Sequence, residues 1–329
     1  MSDTLQASST VPVTSRRRMQ QVQNPPAASR RGSDTSAPIP HEFLHRPLVE
    51  DILIISWLRL SQDRFSVTAQ WPHDHLYFAP HDSRPHPMLA GETIRQAGLL
   101  LCHTEFGVPL GHHFILHDLV YTADPAHRVS GNAPTQLSID VVCSRTRMRA
   151  GMLSSSRFDM TIRKDGRVVA TGHSHVSVTS PAVYRRVRGE RITARHVPGP
   201  LPTPAPPGLT GSATERDVLL SPAGQPGRWL LRIAPGHPTV VNPANDHVPG
   251  LSLLDAAQQA ARALTGSSSF LPHAFGTEFH RYAEHGRPCL IEARRKVPTA
   301  TGTTTVLVTG TQDGDPVFAS VLTALDARS

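Results

Sequence analysis

The chain has 329 residues, 38% of them hydrophobic, about two domains' worth and too apolar to be disordered throughout. No apolar run approaches the ~20 residues of a membrane-spanning helix, and Cys102, Cys143 and Cys289, with no CxxC spacing, exclude a disulfide scaffold or a cysteine-based zinc site. The formal charge of +7 divides into +3 over residues 1–40 and +4 over residues 185–228, so no folded block carries the basic stripe of a nucleic-acid-binding face.

In chain order, residues 1–40 are rich in Ser, Thr, Gln, Pro and Arg, a composition that predicts a disordered tail. Arg16, Arg17 and Arg18 have no apolar run behind them, which argues against a secretory signal and for the cytoplasm. A first block, 41–188, opens with the alternating segment Arg64–Gln70. A helical pattern over Leu89–His103 is apolar on most of its circumference, which predicts a buried helix. Strand-like segments follow at His113–Tyr121, Gln136–Ser144, Met152–Arg163 and Arg167–Val178. Residues 189–228 read as a proline-rich linker. The second block, 229–329, repeats the order: Trp229–Ala234, a helix over Leu251–Leu264, then strands at Phe275–Tyr282, Cys289–Val297, Thr303–Thr309 and Pro316–Leu322.

Short features recur in the same order in both blocks. His75 precedes Glu92 by 17 residues, and His237 precedes Asp255 by 18. Each acid is followed four residues later by Gln and then Ala. The run beginning Asp165-Gly recurs as Asp313-Gly. This is a duplication. One buried helix wrapped by a long antiparallel sheet is the hotdog architecture, so the expected fold is α+β, a tandem (double) hotdog in which one chain replaces a homodimer.

Candidate chemistry sits on the two helices. Glu92, Arg95 and Gln96 stand at i, i+3 and i+4 and share a face. Acidic and basic residues are almost never fully buried unless paired, so these form a structural network or a site. The first helix's amino end adds an anion-seeking N-terminus. Asp255, Gln258 and Gln259 repeat the face with a shorter acid and no guanidinium, which predicts a second site that is weaker or purely structural. His75, His86, His237 and His247 are favoured among 19 histidines because they precede the helices in matching loops. No HExxH, P-loop, GxSxG or dinucleotide fingerprint is present, so no metal and no cofactor are expected. Cys102 reads as a small core residue.

Asp246-His-Val-Pro-Gly-Leu-Ser-Leu-Leu-Asp-Ala-Ala-Gln-Gln-Ala260 resembles the helix entry of hotdog hydroxyacyl dehydratases. Gln70-Trp-Pro-His-Asp-His75, Glu92-Thr-Ile-Arg-Gln-Ala-Gly98, Glu105-Phe-Gly-Val-Pro-Leu-Gly-His112 and Thr179-Ser-Pro-Ala-Val-Tyr-Arg-Arg186 are similar to the A-factor biosynthesis (AfsA) family. The resemblance implies an actinobacterial acyltransferase that moves a β-ketoacyl group from acyl carrier protein to dihydroxyacetone phosphate in γ-butyrolactone signal biosynthesis. Family members read Glu-Ala-Ala-Arg-Gln in the second helix, where this chain has Asp255 and Gln258. The expected mechanism uses Glu92 as general base. The first helix's amino end and Gln96 polarise the thioester, Arg95 holds phosphate or orients Glu92, and His75 assists. Asp255, Gln258, Gln259 and His247 form the second-site set. The rival readings are a dehydratase or thioesterase on carrier-protein thioesters, a non-catalytic acyl or lactone binder and, most remotely, a DNA-binding regulator. The partners expected are the carrier protein and dihydroxyacetone phosphate, with no nucleic acid and no membrane. The chain is expected to be a pseudo-dimeric monomer, with further oligomerisation left open.

Overall fold

The computed structural model describes residues 39–78, 84–127, 133–193, 200–242, 245–266, 270–297 and 300–326. Apart from Ile39 and Pro40, the tail expected to be disordered lies outside them. The first half comprises β1 (Ile54–Arg59), β2 (Arg64–Trp71), α1 (Pro87–Thr104), β3 (His113–Ala123), β4 (Thr135–Arg149), β5 (Met152–Lys164) and β6 (Arg167–Thr179). Two short helices follow, α2 (Pro181–Arg188) and α3 (Pro207–Thr210). The second half comprises β7 (Leu220–Pro222), β8 (Arg228–Leu231), β9 (His247–Val248), α4 (Gly250–Thr265), β10 (Pro272–Phe279), β11 (Ala283–Glu284), β12 (Leu290–Lys296), β13 (Thr303–Gln312) and β14 (Asp315–Leu325).

Twelve strands form one sheet in the order β1-β2-β4-β5-β6-β3-β10-β14-β13-β12-β8-β7. The two halves of that list mirror each other about the central β3–β10 pair, which runs antiparallel from Ala274 opposite Thr122 to Glu278 opposite Asp118. A duplicated unit joined through its equivalent strands is what a hotdog dimer fused into one chain requires. Both Asp-Gly corners close matching hairpins. Asp165 and Gly166 have φ of 49° and 76°, and Asp313 and Gly314 have 53° and 83°, the positive pair that suits Asp-Gly between twisted strands.

Each half packs its sheet on one helix. On α1, Ile94, Ala97, Leu100 and Leu101 are wholly buried against Phe65, Ile139, Phe158 and Ile162. A Cβ on Gly172 of β6 would lie 2.4 Å from Ile94, so only glycine there lets helix and sheet approach this closely. On α4, Ala256, Ala257, Ala260 and Ala261 have no exposure, and these small side chains let β12–β14 close around the helix. Among the described residues, no helix is long and apolar enough to cross a membrane.

The expected linker is partly core. Val218, Leu219 and Leu220 are fully buried, β7 pairs with β8, and Ala205 N donates to Leu220 O at 2.8 Å. A three-residue apolar run between turn residues carries no period, so composition hid it. Likewise, the charge excess over residues 185–228 is not confined to unfolded chain. α2 is capped by Ser180, and its Arg188 is buried.

Candidate active site

The duplication extends to the polar interior. In the first half, His75 Nδ1 accepts from the backbone N–H groups of Tyr77 (3.1 Å) and Phe78 (3.2 Å), and Nε2 faces Asp51 Oδ1 at 3.0 Å. In the second, His237 Nδ1 accepts from Thr239 and Val240, both at 3.3 Å, and Nε2 faces Asp217 Oδ1 at 3.0 Å. Nδ1 accepts and Nε2 donates in both, which sets one tautomer. Gln96 Oε1 accepts from Leu53 N, and its Nε2 donates to Asp51 O and Glu92 Oε1. Gln259 does the same with Leu219 N, Asp217 O and Asp255 Oδ2. His75, His237, Gln96 and Gln259 are thus paired scaffolding. Their polar atoms hold each helix against the preceding loop, so His75 and Gln96, expected among the catalytic groups, are engaged in these bonds.

The two helix acids differ. Glu92 has no exposure and sits in a fork of two guanidiniums. Arg46 Nε and Nη2 donate at 2.8 and 2.7 Å, Arg95 Nε and Nη2 at 3.1 and 2.7 Å, and Gln96 adds a fifth bond. Burial alone would raise this carboxyl's pKa, but the charges of Arg46 and Arg95 override it and hold the value down to about 2. The expectation made Glu92 the general base; in the structure both of its oxygens are engaged by the two guanidiniums and the Gln96 amide.

Asp255 carries the opposite shift. Burial pushes it up to about 6, although hydrogen bonds from Tyr77 and Gln259 pull the other way. Tyr77 Oη donates across the two halves to Asp255 Oδ2, and burial beside that carboxylate raises the phenol well above its ordinary value. Both bonds fall on Oδ2, while Oδ1 accepts none among the described residues.

A cavity of about 900 Å³ opens between the halves, lined by residues of both, including Arg46, Tyr77, Arg95, His247, Ser252 and Asp255. Glu92, Gln96 and His75 are not part of its wall. Apolar lining comes from Met88, Leu99, Leu116, Val176 and Leu253, a surface suited to an acyl chain. Cys102 also lines it, but burial raises its thiol far above the ordinary value, which agrees with a core role.

The amino ends of the helices differ too. α1 is capped, with His86 Nδ1 accepting from Met88 N at 3.2 Å. α4 has no side-chain cap, and Pro249, Gly250, Leu251 and Ser252 of its first turn lie on the cavity wall. The uncapped helix end at this cavity is that of α4, whereas the expectation placed the anion-seeking end on α1.

Gln258 is buried on α4 and faces a smaller cavity of about 200 Å³, whose wall it shares with Tyr77, Asp255 and Gln259. Among the described residues its Nε2 finds no partner. His247 lies on the wall of the main cavity, its Nδ1 held by Asp246 Oδ1 at 2.7 Å. Asp246 also receives Tyr184 Oη at 2.7 Å and Arg188 Nε at 2.9 Å. Sequence reasoning missed Arg46 and Tyr77. Both act across long separations, 46 residues to Glu92 and 178 to Asp255, and no spacing rule connects them.

Relatives are similar along most of the chain. A 2-oxo-3-(phosphooxy)propyl 3-oxoalkanoate synthase of Streptomyces coelicolor is 44% identical over 88% of this chain and 92% of its own length. Proteins of the same name from Streptomyces virginiae and Streptomyces griseus are each 42% identical, over 86% and 87% of this chain and 96% and 95% of their own. Among solved structures, the 12:0-ACP thioesterase of Umbellularia californica superposes with a TM-score of 0.49 at 10% identity, covering 78% of this chain and 93% of that one. The A-factor biosynthesis hotdog domain matches residues 27–180 and 193–325, one segment for each half, and the chain belongs to that family.

Proposed function

We propose that this protein is a 2-oxo-3-(phosphooxy)propyl 3-oxoalkanoate synthase, joining a β-ketoacyl group to the free hydroxyl of dihydroxyacetone phosphate. The relatives' shared name supports the reaction. The observation that carries the mechanism is the raised pKa of Asp255 in a cavity built from both halves. The acyl donor is a thioester on acyl carrier protein, and the reaction takes place in the cytoplasm.

Asp255 Oδ1 takes the proton of the acceptor hydroxyl as its oxygen attacks the thioester carbonyl. With a pKa of about 6, the group is mostly ionised at neutral pH yet more basic than an ordinary aspartate, the balance that general-base catalysis favours. Tyr77 orients the carboxylate from the opposite half. The free N–H groups at the start of α4 stabilise the oxyanion. Collapse expels the thiolate, which recovers the proton from Asp255. Arg95 lines the cavity with its Nη1 uncommitted among the described residues and supplies a donor to the phosphate. Glu92 keeps both arginines in place.

The test is mass spectrometry of the products from β-ketoacyl-carrier protein with and without dihydroxyacetone phosphate. The expected result is a phosphate ester that forms only with the acceptor. Free β-keto acid released at the same rate without acceptor makes the protein a thioesterase and overturns the proposal.

A further inference from the structure

α2 is an unusual surface element. Its buried side is anchored. Tyr184 stacks on His113 with ring centroids 3.5 Å apart, and Arg188 is held by Asp246 and by both oxygens of Glu284 at 2.7 and 2.8 Å. Its outer side has no such partners. Val187 is 71% exposed and Val183 40%, while Arg185 and Arg186 are exposed and form no ion pair among the described residues. The helix has no acidic residue in its first turn and three arginines in its last. Most other rim charges are neutralised: Arg281 pairs with Asp315 and Arg287 with Asp313. The uncompensated positive charge beside the cavity is thus concentrated on α2.

Position gives this face its meaning. Val187, Arg188 and Arg191 are part of the cavity wall, so α2 forms one side of the mouth through which an acyl group on a long tether must enter. A rigid helix with apolar side chains between unpaired arginines fits an acidic helical protein, because complementary charge steers encounter and fixes register while the apolar contacts hold the docked state.

We infer that the outer face of α2, centred on Arg185, Arg186 and Val187, is the docking surface for the acidic acyl carrier protein that delivers the thioester. The inference rests on the acyl-transfer reading for its donor, but it makes a separate claim. Arg185 and Arg186 touch the carrier and not the reacting groups, so their effect depends on what bears the acyl chain.

The experiment compares two donors of the same β-ketoacyl group, an acyl carrier protein thioester and an N-acetylcysteamine thioester, with the unaltered protein and with the double variant Arg185→Glu/Arg186→Glu. The expected result is a KM for the carrier-borne donor raised about tenfold or more, with kcat/KM for the small thioester unchanged. The salt dependence of the carrier KM should flatten in the variant. An unchanged carrier KM overturns the docking surface. So does an equal loss with both donors, because that is the signature of a structural role. If the unaltered protein consumes neither thioester, the acyl-transfer reading has failed instead. Direct titration of the carrier against both proteins then decides the surface: weaker binding by the variant upholds it, and equal binding or none overturns it.

Discussion

The surroundings of Glu92 and Asp255 are copies of one framework put to opposite ends. Each acid lies on the buried helix of its half, four residues before a Gln that ties the helix to a backbone loop, with a His–Asp pair behind it. What differs is the company. Glu92 has two guanidiniums and a pKa near 2, and Asp255 has a phenol, an amide and a pKa near 6. A buried carboxylate between two arginines is a structural charge, whereas one with only neutral partners keeps its affinity for a proton. In the proposed mechanism the half that matches the family motif less well supplies the base, and the better match serves as the brace.

The largest effect that tests this contrast is Asp255→Asn. Ester formation should fall 10²–10⁴-fold, the usual worth of a general base, with the fold retained. Asp255 binds its proton more tightly folded than unfolded, so its burial costs stability as pH rises through about 6. The Asn variant should be the more stable at pH 8, by up to about 3 kcal/mol, with the difference gone below pH 4. Thermal unfolding at the two pH values checks the sign, and a variant less stable at pH 8 breaks the assignment.

Glu92→Gln should act on stability instead. Removing one partner from a buried ion network costs about 3–5 kcal/mol, readable by urea unfolding at pH 7. In the unaltered protein the contribution is present above the unfolded carboxyl's pKa and is lost as pH falls through about 2. Full stability with abolished turnover would return Glu92 to the role of base.

Tyr77→Phe should lower turnover at pH 7 about tenfold, the value of a hydrogen bond to a charged group. It should also move the rising limb of the pH–rate profile upward, because the phenol's bond lowers the Asp255 pKa. A limb that stays in place separates Tyr77 from Asp255. The smallest expected effect is the most symmetric: His75→Ala and His237→Ala should each cost about 1–3 kcal/mol for their buried unpaired N–H groups. Losses that differ by more than this range would show that the copied framework is not energetically equivalent.

Much of the architecture was legible because it depends on local periodicity. The alternation over 64–70, the helices near 89–103 and 251–264, and both Asp-Gly corners follow from spacing that neighbouring residues share. β1 and β7 carry no such signal: Ile52–Leu58 is an apolar run without clean alternation, and Val218–Leu220 is too short to show any period. The shared face of Glu92, Arg95 and Gln96 was readable from helical geometry, and their contacts bear it out. Their roles were not.

The sequence by itself determined a duplicated pair of hotdog units, the two helices and the acid on each. Tertiary structure decided the surroundings of each acid, from which the proposed mechanism takes Asp255 as the base. Arg46 reaches Glu92 from the segment before β1, and Tyr77 crosses from one half to Asp255 of the other. A pKa is set by the charges and burial within a few ångströms, and those neighbours are brought together only when the chain folds.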